Sequence, residues 1–129
     1  MLIEERFEGN ICIISISGRM NTLSSKEVEA KLDDIINDKF NIILNLAGVD
    51  YVSSVGLRTL IAAYKKQKLN HGQFGLIFLR PFVENVFKIT GLSKILPIYL
   101  TEEAAIQRIT YIQGYGEGKT SMDNKGENE

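Results

Sequence analysis

Hydrophobic and polar residues recur along this chain with two different periods, and the switches between them mark out its elements. "LIEERFEGN" and "ICIISISGRM" read as two strands joined by a short polar turn at Glu8–Asn10. Ile11, Ile13, Ile14 and Ile16 are β-branched, and Gly18 ends the run. Over "LSSKEVEAKLDDIIND" the period becomes helical. Val28, Leu32, Ile35 and Ile36 are spaced i, i+4, i+7, i+8 with charges on the other face. Thr22, Ser24 or Ser25 is expected to cap this helix.

"FNIILNLAG" is a near-continuous apolar run of strand length, the pattern of a strand buried on both faces. After "VDYVSSVG" a second helix carries Leu57, Leu60, Ile61 and Tyr64 on one face, with Arg58, Lys65 and Lys66 largely opposite. Gly72 in "LNHGQ" is placed to end it in the left-handed conformation. "FGLIFLR" reads as another buried strand, and "PFVENVFKITG" as a short helix between Pro81 and Gly91. "LPIYL" predicts a short edge strand behind Pro97. "TEEAAIQRITYIQ" predicts a last helix with Thr101, Glu102 and Glu103 at its N-terminus. From Gly114 onward the chain is Gly-rich and nearly without apolar residues, so residues 114–129 are expected to be a disordered polar tail after a domain over 1–113.

The order ββαβαβαβα predicts an α/β fold with a mostly parallel sheet, and the short first connection allows an antiparallel first pair. Composition leaves this picture unchanged. A chain of 129 residues with 44% hydrophobic and 24% charged residues suits one globular domain. Fifteen basic against sixteen acidic side chains give a net charge of -1, so broad attraction to nucleic acid or an anionic membrane is not expected. Cys12, the single cysteine, cannot form an internal disulfide or a cysteine-based metal cluster. Neither a membrane span nor the basic-then-apolar order of a signal peptide is present. A soluble, cytoplasmic protein without cofactor or metal is expected.

Candidate chemistry narrows to one place. No nucleotide-binding glycine pattern follows a strand, and "VSSVG" lacks the leading glycine of a G-x-S-x-G nucleophile elbow. The lone histidine, His71, lies at the far end of the helix that Ser54 begins, roughly 25 Å away at 1.5 Å per residue, too far to act as its general base. A receiver domain would carry its phosphorylatable aspartate where Asn45 stands, and Asp50 is displaced into the following loop. An enzyme is therefore not expected. Ser53 and Ser54 remain. One of them is expected to cap the second helix. The helix tip also offers N–H groups and partial positive charge to a phosphate, so the site reads as a substrate for modification. Gly56, lacking a side chain, would let another macromolecule approach closely.

"VDYVSSVGLRTLIAAYKK" resembles the signature of the STAS domain found in bacterial anti-sigma factor antagonists. The likeness extends over about residues 3–112, through "SGRM", "NIILNLAGVDYVSSVGL", "NHGQFGLIFLRPFVENVFKITGL" and "LPIYLTEEAAIQRI". It implies a single domain with a small mixed sheet and helices packed mainly on one side. It further implies that a partner anti-sigma factor with ATP-dependent serine kinase activity phosphorylates a serine at the start of the second helix. The unphosphorylated form would bind that partner and free the sigma factor, and a metal-dependent serine phosphatase would reset the cycle. Aligned on the glycine, the acceptor is Ser54, with Ser53 as second choice, and the partner surface comprises Asn21, Ser53, Ser54, Val55, Gly56 and Arg58. Ser53 and Asn21 stand where many members carry aspartate. STAS domains also serve as non-switching scaffolds or accessory subunits of signalling and transport complexes, and a retained hydroxyl at Ser54 favours the switch over that role.

Overall fold

The structure, a computed structural model, describes residues 1–114; the tail expected from residue 114 lies outside the described residues apart from Gly114 itself. Among the described residues five strands form one sheet in the order β1-β2-β3-β4-β5. They are β1 (Leu2–Glu8), β2 (Ile11–Met20), β3 (Asn41–Val52), β4 (Phe74–Ile77) and β5 (Ile98–Tyr99). β1 pairs antiparallel with β2, and every later pairing is parallel. The helices are α1 (Thr22–Asn37), α2 (Ser54–Leu69), α3 (Pro81–Thr90) and α4 (Glu102–Ile112). The expected element order holds.

Because β2, β3, β4 and β5 are laid down side by side in sequence, right-handed crossovers put α1, α2 and α3 on one face of the sheet. Val28, Leu32, Leu60, Ala63, Val83 and Phe87 from these helices meet Ile14, Ile16, Leu44, Leu46 and Leu76 from the strands in the main core. α4 crosses between no strands and takes the opposite face, where Ala105 and Ile109 cover Ile11, Ile13, Ile43 and Ile77. Strands buried on both faces account for the near-continuous apolar runs. β1 is the exposed edge, and its charged Glu4, Glu5, Arg6 and Glu8 discourage pairing with another chain.

Several local expectations change. The cap of α1 is Asn21, not Thr22, Ser24 or Ser25. Its Oδ1 accepts from the Ser24 amide at 2.9 Å while Ser24 Oγ accepts from the Asn21 amide at 3.0 Å, a capping box closed by a hydroxyl. Gly72 does not terminate α2 in the left-handed region; His71 takes the positive φ, at 62°. Gly72 is small for another reason, since a Cβ there would sit 2.5 Å from Gln67 Cδ. β4 stops at Ile77 because Phe78 turns to a φ of 60°. β3 runs on through Val52, paired to the end of β2 across two register shifts. Gly91 does end α3 left-handed, at a φ of 81°.

Candidate functional site

In a parallel sheet every strand delivers its following helix at the same edge, so α1 and α2 start side by side. The register pairs Met20 with Val52, the last residues of β2 and β3. One step further, the Ser53 amide donates to the Met20 carbonyl at 2.8 Å. Asn21, the cap of α1, and Ser53, the cap of α2, are thereby fixed as neighbours at the ends of adjacent strands.

The two serines are not equivalent. Ser53 is half-buried, and its Oγ accepts the Gly56 amide at 3.1 Å, satisfying one of the donors a helix start leaves open. Ser54 is the first helical residue and is exposed. It belongs to the first turn, whose leading N–H groups have no acceptor within the helix. The macrodipole adds partial positive charge at the same tip.

Gly56 lies inside, not at the surface. A Cβ added there would come within 2.9 Å of Val52 Cγ1 and 3.2 Å of the Met20 carbonyl oxygen. The glycine lets the first turn of α2 lie against the ends of β2 and β3, and it offers no open approach to a partner. The structure therefore gathers Asn21, Ser53, Ser54, Val55 and Arg58 at one end of the sheet and withdraws Gly56 beneath them. Asn21, Ser54 and Arg58 are exposed, while Ser53 and Val55 are half-buried.

Comparison with known proteins identifies the family and the fold. The model of the STAS domain family matches residues 3–105. This chain belongs to the STAS domain family. BtrV of Bordetella bronchiseptica, named as a candidate anti-sigma factor antagonist, is 30% identical over 105 residues, covering 81% of this chain and 90% of BtrV. The anti-sigma F factor antagonist of Paenibacillus polymyxa is 26% identical over 112 residues, covering 85% and 96% of the two chains. Among solved structures, an anti-sigma factor antagonist candidate from Thermotoga maritima superposes with a TM-score of 0.79 at 23% identity, covering 84% of this chain and 94% of that one. The anti-sigma factor antagonist SpoIIAA in its unphosphorylated form gives a TM-score of 0.72 at 22% identity, over 86% and 98% of the chains. At these identities the structural likeness establishes the fold.

Near these residues lie others that the sequence pattern does not single out. The Arg19 guanidinium lies 4.1 Å from the centre of the Tyr51 ring, a cation–π contact at the joined ends of β2 and β3. A register shift after Gly18 brings these two opposite each other, and no periodicity in the sequence announces it. Leu23, 76% exposed in the first turn of α1, lines an open depression of 570 Å³ with Met1, Arg19, Asn21, Ser24 and Glu27. An exposed leucine two residues after a helix cap is a signal that could have been noticed. His71 lies beyond the opposite end of α2 from Ser54, and its carbonyl accepts from Gln113 Nε2 at 3.3 Å. Cys12 is wholly buried, and burial pushes its thiol up to about 11, with the Glu5 carboxylate adding to the effect. The described residues contain no helix long and apolar enough to cross a membrane.

Proposed function

We propose that this STAS domain is an anti-sigma factor antagonist that works by binding, in the cytoplasm, an anti-sigma factor with serine kinase activity. Phosphorylation of Ser54 ends that binding, and a metal-dependent serine phosphatase restores it. One observation carries the reading: the Ser54 hydroxyl is exposed on the first residue of α2, while the neighbouring Ser53 hydroxyl is committed to the cap. A kinase that took Ser53 would have to withdraw the oxygen holding the Gly56 amide. Taking Ser54 leaves the cap intact.

The relatives support the same direction. Those with functional names are called anti-sigma factor antagonists, and SpoIIAA has been solved in both unphosphorylated and phosphorylated forms. The chemistry explains why the fold would survive the modification. A phosphate adds about −1.5 to −2 charges where helix N–H groups and dipole favour an anion. A partner packed on Asn21, Ser53 and Ser54 would instead have to desolvate that charge. The penalty against an apolar or acidic facing group is about 2–5 kcal/mol, roughly 30-fold to several-thousand-fold in affinity.

A constitutive scaffold or accessory subunit would have no use for an exposed hydroxyl at this tip. The direct test is to incubate the protein with its cognate anti-sigma factor kinase and ATP and map the phosphate. The reading requires label on Ser54 and none in Ser54→Ala. Full labelling of Ser54→Ala, lost in Ser53→Ala, moves the acceptor by one residue. No labelling of the wild type favours the scaffold.

A further inference from the structure

Phosphorylation of Ser54 would change one charge, and the structure holds a second charge at the right place to answer it. Ser54 and Arg58 are i and i+4 on α2, so they occupy one face one turn apart. Side chains on a helix lean toward its N-terminus, which aims Arg58 back over the turn that Ser54 begins. An acidic group N-terminal to a basic one at this spacing is the favourable orientation of such a pair.

The cations around the tip differ in how they are engaged. Arg19, at the joined ends of β2 and β3, lies over the Tyr51 ring. Among the described residues Arg58 is exposed and takes part in no hydrogen bond or ion pair. In the unmodified protein its exposed neighbour at i−4 is a neutral hydroxyl, so it has nothing there to pair with.

We propose that Arg58 is the intramolecular counter-ion of phosphoserine 54, closing a one-turn clasp on α2 in the modified state. The proposal rests on the assignment of Ser54 as the acceptor and adds the means by which the modified state is held. The guanidinium fork matches a phosphate and supplies charge-assisted hydrogen bonds that a lysine ammonium matches less well. The clasp changes the surface twice. The tip gains a dianion, and the exposed cation that an acidic partner group would have met is taken up internally. The switch would then remove an attraction as well as add a repulsion.

The test needs neither kinase nor partner. Phosphoserine is installed at position 54 of the full chain during translation, in the wild type, Arg58→Lys and Arg58→Gln backgrounds. The phosphorus resonance is then followed through pH 4–8. Ordinary phosphoserine loses its second proton near pH 6. The clasp predicts that this ionisation falls lowest in the wild type, by about half a pH unit or more relative to Arg58→Gln, with Arg58→Lys between. Raising salt to about 1 M should shrink the difference, since the pair is exposed. The helix tip acts equally on all three proteins, so the difference isolates residue 58. Thermal melts of the unmodified variants check that each is folded, as replacement of an exposed side chain predicts. Coincident titrations in wild type and Arg58→Gln would overturn the clasp. Because no partner is present, an error in the partner assignment cannot produce or erase this result, and binding measured separately on the same proteins decides that assignment.

Discussion

The Ser53 amide donates to the Met20 carbonyl at 2.8 Å, and this one bond sets the starts of α1 and α2 against each other at the end of the sheet. Residues 21 and 54, far apart in sequence, become one surface because β2 and β3 end in register. Everything proposed for the site depends on that edge being rigid.

Ser53→Ala and Ser54→Ala should separate structural from modifiable hydroxyl. Loss of the Ser53 cap is expected to cost about 1 kcal/mol in denaturant unfolding. Ser54→Ala should stay within about 0.5 kcal/mol of wild type, because its hydroxyl is exposed. Equal losses would show that Ser54 also holds the helix tip.

Gly56→Ala is a sharper probe of the buried contact. Alanine is intrinsically the better helix former by about 1 kcal/mol. Here its methyl would press on Val52 Cγ1 at 2.9 Å and on the Met20 backbone. Overpacking of this kind costs about 1–3 kcal/mol, so net destabilisation is expected in thermal melts. A raised melting temperature would mean that the tip of α2 can lift from the sheet freely.

Gln67 is 1% exposed, and its Nε2 donates to the Phe40 carbonyl at 2.7 Å and the Gln73 carbonyl at 2.9 Å. It pins the end of α2 to the segments that enter β3 and β4. Gln67→Leu keeps much of the volume but removes both bonds. A loss of about 1–3 kcal/mol is expected, read by chemical denaturation.

Much of this fold was legible in the sequence because its signals were local. The 3.6-residue spacing of Val28, Leu32, Ile35 and Ile36, the apolar run from Ile42 to Leu46, and Pro81 with Gly91 around α3 each announced an element. The misreadings were tertiary in origin. "VDYV" reads as loop from its sequence, yet it is strand because register shifts keep it paired with β2. Gly56 reads as room for a partner and Gly72 as a left-handed terminator, yet both are small because Met20, Val52 and Gln67 pack where a Cβ would stand. Asn21 drew attention as a replaced aspartate and proves also to be the cap of α1. Arg19 over Tyr51 depends on cross-strand register, which no single-chain pattern encodes.

The raised Cys12 thiol predicts an alkaline signature. Burial holds the thiol neutral in the fold, with its pKa raised from 9.0 to about 11. The folded state therefore keeps this proton more tightly than the unfolded chain does. The associated stability is complete below about pH 9 and is lost as pH rises toward 11. Unfolding free energies of wild type and Cys12→Ala should accordingly converge between pH 9 and 11, since Tyr99 and the lysines are common to both. A constant difference across that window would mean that the thiol is not protected by burial.

Whether phosphate on Ser54 switches off binding is read most directly by calorimetric titration of the cognate anti-sigma factor with two forms of this protein. One is unmodified and the other carries stoichiometric phosphate on Ser54, with a thermal melt recorded for each. The phosphate should leave the melting temperature level or slightly higher and weaken binding by at least about 30-fold. Equal affinity of the two forms would contradict it, and loss of binding accompanied by a collapsed melting transition would contradict the interface mechanism in particular.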